Sequence, residues 1–226
     1  MKHRIVVFLG PSLDRQSAER ILPAGYLPPA RRGDILAAAR NGATIVCLID
    51  GVFHQDSAVG HREILSALKA GVTVIGASSM GALRAAELDT LGMRGIGEIY
   101  RMYTSGELIS DDEVALVFDP ESGLSLSEPL INIRCTLKNA LCDGVIDAKA
   151  HDAFLAAARS VFYPDRTYPQ VVAAAAGIVD TATRDRFSVW VGEHACDQKK
   201  TDAIAALEYI RNLAAGEKDS PQGNPD

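Results

Sequence analysis

The sequence predicts an α/β fold, in which a small parallel sheet with crossover helices is followed by a mainly helical C-terminal layer. Three short segments rich in Val and Ile, residues 4–9, 44–49 and 72–75, have the apolar character of buried strands. Between them lie two helical stretches, residues 32–40 and 58–70, and each runs into a glycine, as helices often do at their C-termini. Strands that alternate with helices in this way are joined by crossovers and therefore run parallel.

The rest of the chain is predicted to be mostly helical. Residues 80–88 are rich in Ala, Leu, Glu and Arg, which favour a helix, and residues 96–105 and 130–141 are also typical of helices. Residues 113–118 resemble a strand. From residue 148 to residue 214 the chain is Ala-rich with helical periodicity and contains no clear strand.

This pattern suggests three parts along the chain. We expect an α/β core over residues 1–146 and a helical segment over residues 147–215 that packs on it. Residues 216–226 are polar and rich in turn-forming residues, so we expect a disordered tail there.

The composition excludes several classes of protein. Acidic residues outnumber basic ones by 29 to 23, and a formal charge of −6 argues against a general nucleic-acid binder. No apolar run approaches the roughly 20 residues of a membrane helix. The basic start is followed by an apolar run that Gly10-Pro11 cuts too short for a secretory signal. We therefore expect a cytoplasmic protein with no membrane and no nucleic-acid partner.

The cysteines do not indicate a metal or redox motif. None of the four forms a Cys-x-x-Cys pair, which gives zinc and thioredoxin-like sites little support. Cys135 and Cys142 would be about 10 Å apart on one helix, too far for a disulfide. We expect buried, reduced thiols, with Cys196 the most notable because a lysine pair follows it.

Three loops are predicted to meet at one edge of the sheet. In parallel α/β sheets, ligands bind beyond the carboxyl ends of the strands. The three predicted strands are followed by Gly10-Pro11-Ser12, by residues 50–54 and by residues 76–81. This edge is therefore the expected position of a functional site.

The third loop has the features of a nucleophilic turn. A small-residue turn between a strand and a helix exposes its serine and leaves backbone N–H groups free beside it, as a serine nucleophile and its oxyanion require. Ser78 and Ser79 occupy this turn, and the helix starts at Met80. The alternative is that one of these serines only caps the helix, which is a common role for serine.

A serine nucleophile needs a base, and two kinds are available. His54 and His61 lie near the active edge, and with Asp50 and Glu63 they could imitate a metal site, but two histidines without a third ligand are weak support for one. The other kind is a desolvated lysine.

Lys199 and Lys200 open an amphipathic helix and flank the centre of its apolar face about equally, so periodicity does not choose between them. The alternative is that both lysines are solvated on the helix surface. The acidic run 111–113 could hold Mg²⁺, although such runs are more often turns, and we expect neither a metal nor a cofactor. Four polar residues lie within otherwise apolar helices and could belong to a site: Arg84, Glu87, Asn132 and Arg134.

Several strings together resemble the TfuA-like family. The most specific is Ser-Met-Gly-Ala-Leu-Arg-Ala-Ala-Glu at residues 79–87. The other matching segments are residues 7–13, 32–34, 49–54, 61–65, 76–88, 111–114, 128–134 and 198–203. The resemblance therefore covers most of the first 140 residues and one late segment.

The resemblance implies a function. Family members accompany YcaO-type, ATP-using enzymes that replace a backbone amide oxygen of a peptide by sulfur. They are thought to hydrolyse the C-terminal thiocarboxylate of a small ThiS-like sulfur carrier through a Ser–Lys pair, which releases sulfide for the partner. By position, the serine is Ser79 and the lysine is Lys199, although the Lys199–Lys200 doublet leaves an ambiguity of one residue. From the family resemblance we expect His-Lys-Glu at residues 61–63, but this chain has Arg62 in place of the lysine. That lysine would be the competing base.

The remaining roles are expected around this pair. We expect the backbone N–H groups of Met80 and Gly81, joined by that of Gly10, to hold the oxyanion. The candidates for orienting the lysine or binding the carrier's tail are Ser12, Asp50, His54, Ser78, Arg84, Asn132 and Arg134.

Two other functions are compatible with the sequence. Ser-Met-Gly-Ala at the start of a helix also looks like the nucleophile turn of the Clp-type serine peptidases, which would imply peptide or ester hydrolysis. The chain could also be a non-catalytic adaptor that helps a YcaO-type partner to hold its peptide.

Overall fold

The protein contains one five-stranded sheet in which all strands are parallel. In the computed structural model, which describes residues 4–53, 57–119, 121 and 123–216, the strand order is β2-β1-β3-β4-β5. The strands are β1 (Ile5–Phe8), β2 (Gly25–Leu27), β3 (Ile45–Leu48), β4 (Thr73–Ala77) and β5 (Arg94–Ile96). The sheet is thus the expected α/β framework, with β3 at its centre.

Ten helices accompany the sheet within the described ranges. Those of the first half are α1 (Arg15–Ile21), α2 (Asp34–Arg40), α3 (His61–Lys69), α4 (Met80–Leu88) and α5 (Glu98–Thr104). Those of the second half are α6 (Leu130–Cys142), α7 (Ala148–Ser160), α8 (Tyr168–Ala174), α9 (Thr181–His194) and α10 (Gln198–Ala215). The second half is therefore helical, as the sequence predicts.

The two faces of the sheet bury different helices. On one face, Val7, Cys47 and Ile75 pack in a cluster with Ala18 of α1 and Leu207 of α10. On the other face, the apolar residues of α2, α3 and α4 cover the sheet. Helices α6 to α9 bury a separate cluster around Phe154 and Phe187. Helix α10 thus returns from the helical half to the sheet, and its first turn lies where the two parts meet.

The three Val/Ile-rich strands and the helices between them are confirmed, and two strands were not predicted. Strands β2 and β5 are three residues long, lie at the two edges of the sheet and each contain a glycine. Such short edge strands have neither the apolar run nor the alternation by which a strand is recognised. The helix α1, which Asp14 caps through the Ser17 N–H, was also not predicted.

The predicted strand at residues 113–118 is wrong. A short 3₁₀ turn covers Asp111–Glu113, and Phe118 forms only an isolated bridge with Ser125. The segment is held by ion pairs instead of a sheet ladder: Asp112 pairs with Arg166, and Glu113 pairs with Arg134. Val114 and Ala115 are buried, and Val114 packs against residues of α4, α5 and α6, so the segment has apolar residues without forming a strand.

The expectation of four buried, reduced thiols is also corrected. A disulfide joins Cys135 of α6 to Cys196, with their Cα atoms 5.7 Å apart. Cys47 is free and buried, and Cys142 is free and exposed. The bridged pair is 61 residues apart in sequence and meets because the start of α10 packs against α6, which spacing alone does not reveal. None of the described helices is long and apolar enough to cross a membrane.

One buried carboxylate connects α10 to the sheet edge. Asp202 accepts hydrogen bonds from the backbone N–H groups of Glu98 and Ile99, at 3.1 and 2.8 Å, and so caps the start of α5. Gly97 leaves room for this carboxylate, since a Cβ there would lie 2.4 Å from Asp202 Cγ. The aspartate of the late matching segment is therefore explained by helix capping.

We expect Asp202→Ala to lower the free energy of unfolding by about 2–3 kcal/mol, because two amides lose their partner in a buried position. Urea unfolding measures the change. The matched control is Asp185→Ala, since Asp185 is an exposed aspartate on α9 and its loss should have little effect. Equal stability of the two variants would contradict the capping role.

Candidate active site

The serine turn between β4 and α4 is tightly constrained. Ser78 has φ +66°, the only positive φ of a non-glycine residue in the described part of the chain. The turn passes so close to β3 that side chains are excluded: a Cβ on Gly76 would lie 2.1 Å from the Gly81 oxygen, and one on Gly81 would lie 1.7 Å from the Leu48 oxygen. The two glycines therefore allow α4 to start directly above the sheet edge.

Ser79 lies at the start of α4, but its side chain does not cap the helix. It occupies the N-cap position with φ −111° and ψ −123°, and its side chain makes no capping hydrogen bond. No hydrogen bond of its hydroxyl is found among the described residues, and the residue is 2% exposed. The structure thus contradicts the helix-cap alternative for both serines, because the Ser78 hydroxyl donates to Ser12 Oγ instead, at 3.0 Å.

Ser79 and Lys199 line the same small cavity. Its volume is about 20 Å³, enough for roughly one water molecule. The cavity is lined by Pro11, Pro29, Asp50, Gly51, Phe53, Ser79, Val114, Leu116, Phe118 and Lys199. Residues from the ends of several elements, far apart in sequence, therefore converge on one hydroxyl and one amine.

The start of α10 is held so that Lys199, and not Lys200, faces inward. Asn132 Oδ1 of α6 accepts from the Gln198 and Lys199 N–H groups, at 3.0 and 3.3 Å. Asp197 caps the helix through the Lys200 N–H. Lys199 is 2% exposed, and its Nζ donates to the Val114 carbonyl at 3.0 Å, while Lys200 is exposed.

Burial gives Lys199 the character of a base. Removal from water disfavours the ammonium form and lowers the pKa of Lys199 below its ordinary value. The carboxylates of Asp50, Asp197 and Glu128 act in the opposite direction. A lysine with a lowered pKa is more often neutral near pH 7 and can then accept a proton.

Asp50 organises the first loop around the cavity. Its Oδ2 accepts from the Gly10 and Ser12 N–H groups, at 2.8 and 3.2 Å, and its Oδ1 accepts from Ser12 Oγ at 2.7 Å. With the Ser78 hydroxyl bound to Ser12, a buried chain of hydrogen bonds runs from Ser78 through Ser12 to Asp50. Ser12, Ser78 and Asp50 therefore hold the serine turn and the first loop together.

The three amides expected to bind an oxyanion are not equally available. The Gly10 N–H is bound to Asp50, and the Gly81 N–H donates to the Ile49 carbonyl at 3.3 Å. The Met80 N–H, in the first position of α4, has no hydrogen-bond partner within the described ranges. Of the three, the Met80 amide is the one left to receive a ligand beside Ser79.

The segment after Asp111–Glu113 forms the roof of the site, and sequence reasoning did not assign it this role. Val114, Leu116 and Phe118 line the cavity, and the Val114 carbonyl holds the Lys199 amine. The Arg134 guanidinium binds Glu113 through two hydrogen bonds, at 2.8 and 2.6 Å. Arg134 therefore holds the roof segment from α6. The sequence pointed to this role only through the presence of Arg134 and Asn132 in the matching segment 128–134.

The other candidates lie elsewhere. Arg84 donates to the Val59 carbonyl and to Glu87, and Glu87 is also 2.7 Å from His61 Nε2. These residues line a second pocket, and Arg84 is not among the residues that line the cavity. His54 lies outside the described residues.

A larger groove adjoins the cavity. Its volume is about 820 Å³, and it shares Pro11, Pro29 and Phe118 with the cavity. Its walls come from the ends of β1 and β2 and from the loop that carries Leu124, a leucine that is 68% exposed. The candidate site thus consists of a narrow cavity beside an open, partly apolar groove.

Comparison with known proteins gives a family. A family model described as TfuA-like protein matches residues 50–167, which is more than half of the chain. The match begins at Asp50 and includes the serine turn, the roof segment and α6. No curated protein matches the chain.

Proposed function

The chain belongs to the TfuA-like family, and on that premise we propose that it hydrolyses the thiocarboxylated C-terminus of a ThiS-like sulfur-carrier protein. Membership of this family supports an accessory role in peptide thioamidation. The hydrolysis releases sulfide, and a YcaO-type partner uses that sulfide. One observation carries the proposal: the unbonded Ser79 hydroxyl and the buried Lys199 amine line one cavity.

The first half of the reaction forms an acyl-enzyme. Ser79 Oγ attacks the thiocarboxylate carbon while its proton passes to the neutral Lys199 amine. The carbon–sulfur bond then breaks, and the sulfur leaves as hydrosulfide with the proton from the Lys199 ammonium. The carrier is left joined to Ser79 by an ester bond.

The second half regenerates the serine. Water attacks the ester carbon and gives a proton to Lys199, and that proton returns to Ser79 Oγ when the ester bond breaks. The products are a carrier carboxylate, hydrosulfide and one proton, which the new carboxylic acid releases to solvent, so the net reaction consumes one thiocarboxylate and one water.

The transition states carry negative charge on the former carbonyl oxygen. The free Met80 N–H and the N-terminus of α4 offer a hydrogen bond and a favourable dipole to that oxygen. Asn132 positions the first turn of α10 and therefore Lys199, and Arg134 positions the roof through Glu113. We assign Asp50, Ser12 and Ser78 to positioning the serine turn.

The groove supports a protein tail as the substrate. An acyl group that reaches Ser79 through so small a cavity must be the end of an extended chain, and the residues before it need a surface to lie on. The adjoining groove opens past Pro11, Pro29 and Phe118 and exposes Leu124. We propose that the carrier's C-terminal tail lies in this groove.

We expect Leu124→Asp to raise KM for the thiocarboxylated carrier about 10-fold without lowering kcat, because part of a leucine's burial on binding is lost. Sulfide release measured against carrier concentration gives both constants. The matched control is Ile109→Asp, since Ile109 is 90% exposed and lines the Arg84 pocket instead of the groove. An equal KM for the two variants would exclude the groove as the tail's binding surface.

The proposed activity has a direct assay. The purified protein is incubated with thiocarboxylated carrier, and two quantities are measured: the sulfide released and the mass of the carrier. We expect one sulfide for each thiocarboxylate converted to carboxylate. No sulfide from the folded wild type, first without and then with the YcaO-type partner, would favour the adaptor instead.

A further inference from the structure

The Gly51 backbone amide is an unassigned donor at the reactive cavity. Gly51 follows Asp50 at the end of β3 and lines the cavity together with Ser79 and Lys199. Its N–H has no hydrogen-bond partner in the described parts of the chain. We propose that the Gly51 N–H is the second oxyanion donor and acts together with the Met80 N–H; this inference rests on the function proposed above.

The direction of this amide follows from its neighbours. The C=O and N–H of one trans peptide unit point in opposite directions. The Asp50 carbonyl accepts from the Ala30 N–H at 2.9 Å, and no peptide bond in the described chain is cis. The Gly51 N–H therefore points away from Ala30.

The preceding peptide unit shows what lies on that side. The Asp50 N–H donates to the Phe8 carbonyl of β1, at 3.1 Å, so the Ile49 carbonyl points away from β1. That carbonyl accepts from the Gly81 N–H in the first turn of α4. The side opposite β1 and Ala30 is thus the side of α4, and the Gly51 N–H is turned towards the start of that helix.

The Gly51 backbone lies close against the Met80 side chain. A Cβ on Gly51 would lie 2.9 Å from Met80 Cγ and 3.1 Å from Met80 Cβ, and 3.3 Å from the Ala30 oxygen. A side chain at position 51 would separate this strand end from the helix start. The glycine of the Ile49-Asp-Gly string is therefore explained by this close approach.

The two amides come from different elements and meet beside Ser79. When Ser79 Oγ attacks the acyl carbon, the carbonyl oxygen takes up the negative charge, and both N–H groups donate to it. Neither amide transfers a proton, so the balance of the reaction is unchanged. Loss of one such donor lowers kcat by roughly 10²–10³-fold in a serine hydrolase.

The test removes one amide without removing a side chain. Glycolic acid is incorporated in place of Gly51 in the full chain, which replaces the N–H by an ester oxygen. The matched control is the hydroxy-acid analogue of valine at position 52, because the Val52 N–H donates to the Ala30 carbonyl at 3.0 Å on the other side of the same segment. Two rates are measured for each variant: sulfide release from thiocarboxylated carrier, and covalent labelling of Ser79 by a fluorophosphonate.

We expect the ester at position 51 to lower both rates by about 10²-fold and the ester at position 52 to lower them far less. Equal effects of the two esters would overturn the assignment. If the wild type is labelled but releases no sulfide, the proposed substrate is wrong, and the labelling rates alone decide the role of Gly51. If the wild type does neither, both the proposed hydrolase and this inference are overturned.

A second measurement needs only the wild-type chain, so it does not depend on the folding of a variant. In protein labelled with ¹⁵N-glycine, the fluorophosphonate adduct places a phosphoryl oxygen where the oxyanion forms. We expect the Gly51 amide proton to move downfield on adduct formation, while that of Gly10, already bound to Asp50, stays in place. An unchanged Gly51 resonance in the adduct would overturn the proposal.

Discussion

Ser79→Ala is expected to abolish sulfide release, lowering kcat by about 10³-fold or more, as removal of the nucleophile does in other serine hydrolases. The physical reason is that no other hydroxyl occupies its place: Ser78 and Ser12 are bound in the chain that ends on Asp50. The rate of sulfide formation from thiocarboxylated carrier measures the loss.

The same variant should fold as the wild type does. No hydrogen bond of the Ser79 hydroxyl is found among the described residues, so its loss should change the free energy of unfolding by less than about 1 kcal/mol. The matched control is Ser188→Ala, since Ser188 is an exposed serine on α9 that does not line the cavity. We expect this control to keep most of its activity, and a Ser79→Ala protein that remains active would refute the mechanism.

Lys199→Met is the second change with a large expected effect. It keeps the length of the side chain but removes the base, and we expect kcat to fall by roughly 10²–10⁴-fold. The matched control is Lys200→Met, since Lys200 is exposed and only its backbone N–H takes part in the described cap. Similar losses in both variants would show that the assignment of Lys199 is wrong.

Lys199→Met also has a predicted signature in stability. The pKa of Lys199 is lowered in the folded state, so over the pH range between that pKa and the unfolded value near 10.4 the unfolded chain binds more protons at this group. Stability contributed by the group therefore rises with pH across this range. The wild type should gain free energy of unfolding relative to Lys199→Met as pH is raised, and urea titrations at several pH values measure it. A difference independent of pH would contradict a lowered pKa.

The sequence was most informative where local physical chemistry determines the structure. Helix α4 starts at Met80, as predicted, because a run of helix-forming residues follows a turn of small residues. The three strands with Val/Ile runs were found for a similar reason, since strands buried on both faces are apolar throughout. Lys199 and Ser79 were named through the family resemblance, whereas helical periodicity left Lys199 and Lys200 equivalent.

The features that were missed depend on contacts between distant parts of the chain. Nothing local to Val114 indicates that its carbonyl will hold an amine 85 residues away. The Cys135–Cys196 bridge and the capping of α5 by Asp202 likewise exist only because α10 returns to the sheet. The availability of an amide is also a tertiary property: the N–H groups of Gly10 and Gly81 are bound by other segments, whereas that of Met80 has no partner among the described residues.

The central claim is that Ser79 carries the acyl group of the carrier during the release of sulfide. The most direct test is to mix the wild-type protein with thiocarboxylated carrier, quench with acid within milliseconds to seconds, and measure the mass of the intact protein and of its Ser79 peptide. The account predicts a covalent adduct on Ser79 with the mass of the carrier after loss of hydrogen sulfide, formed together with sulfide and then lost as carrier carboxylate appears. Sulfide release at the full rate with no adduct on Ser79 at any time, and undiminished in Ser79→Ala, would contradict it.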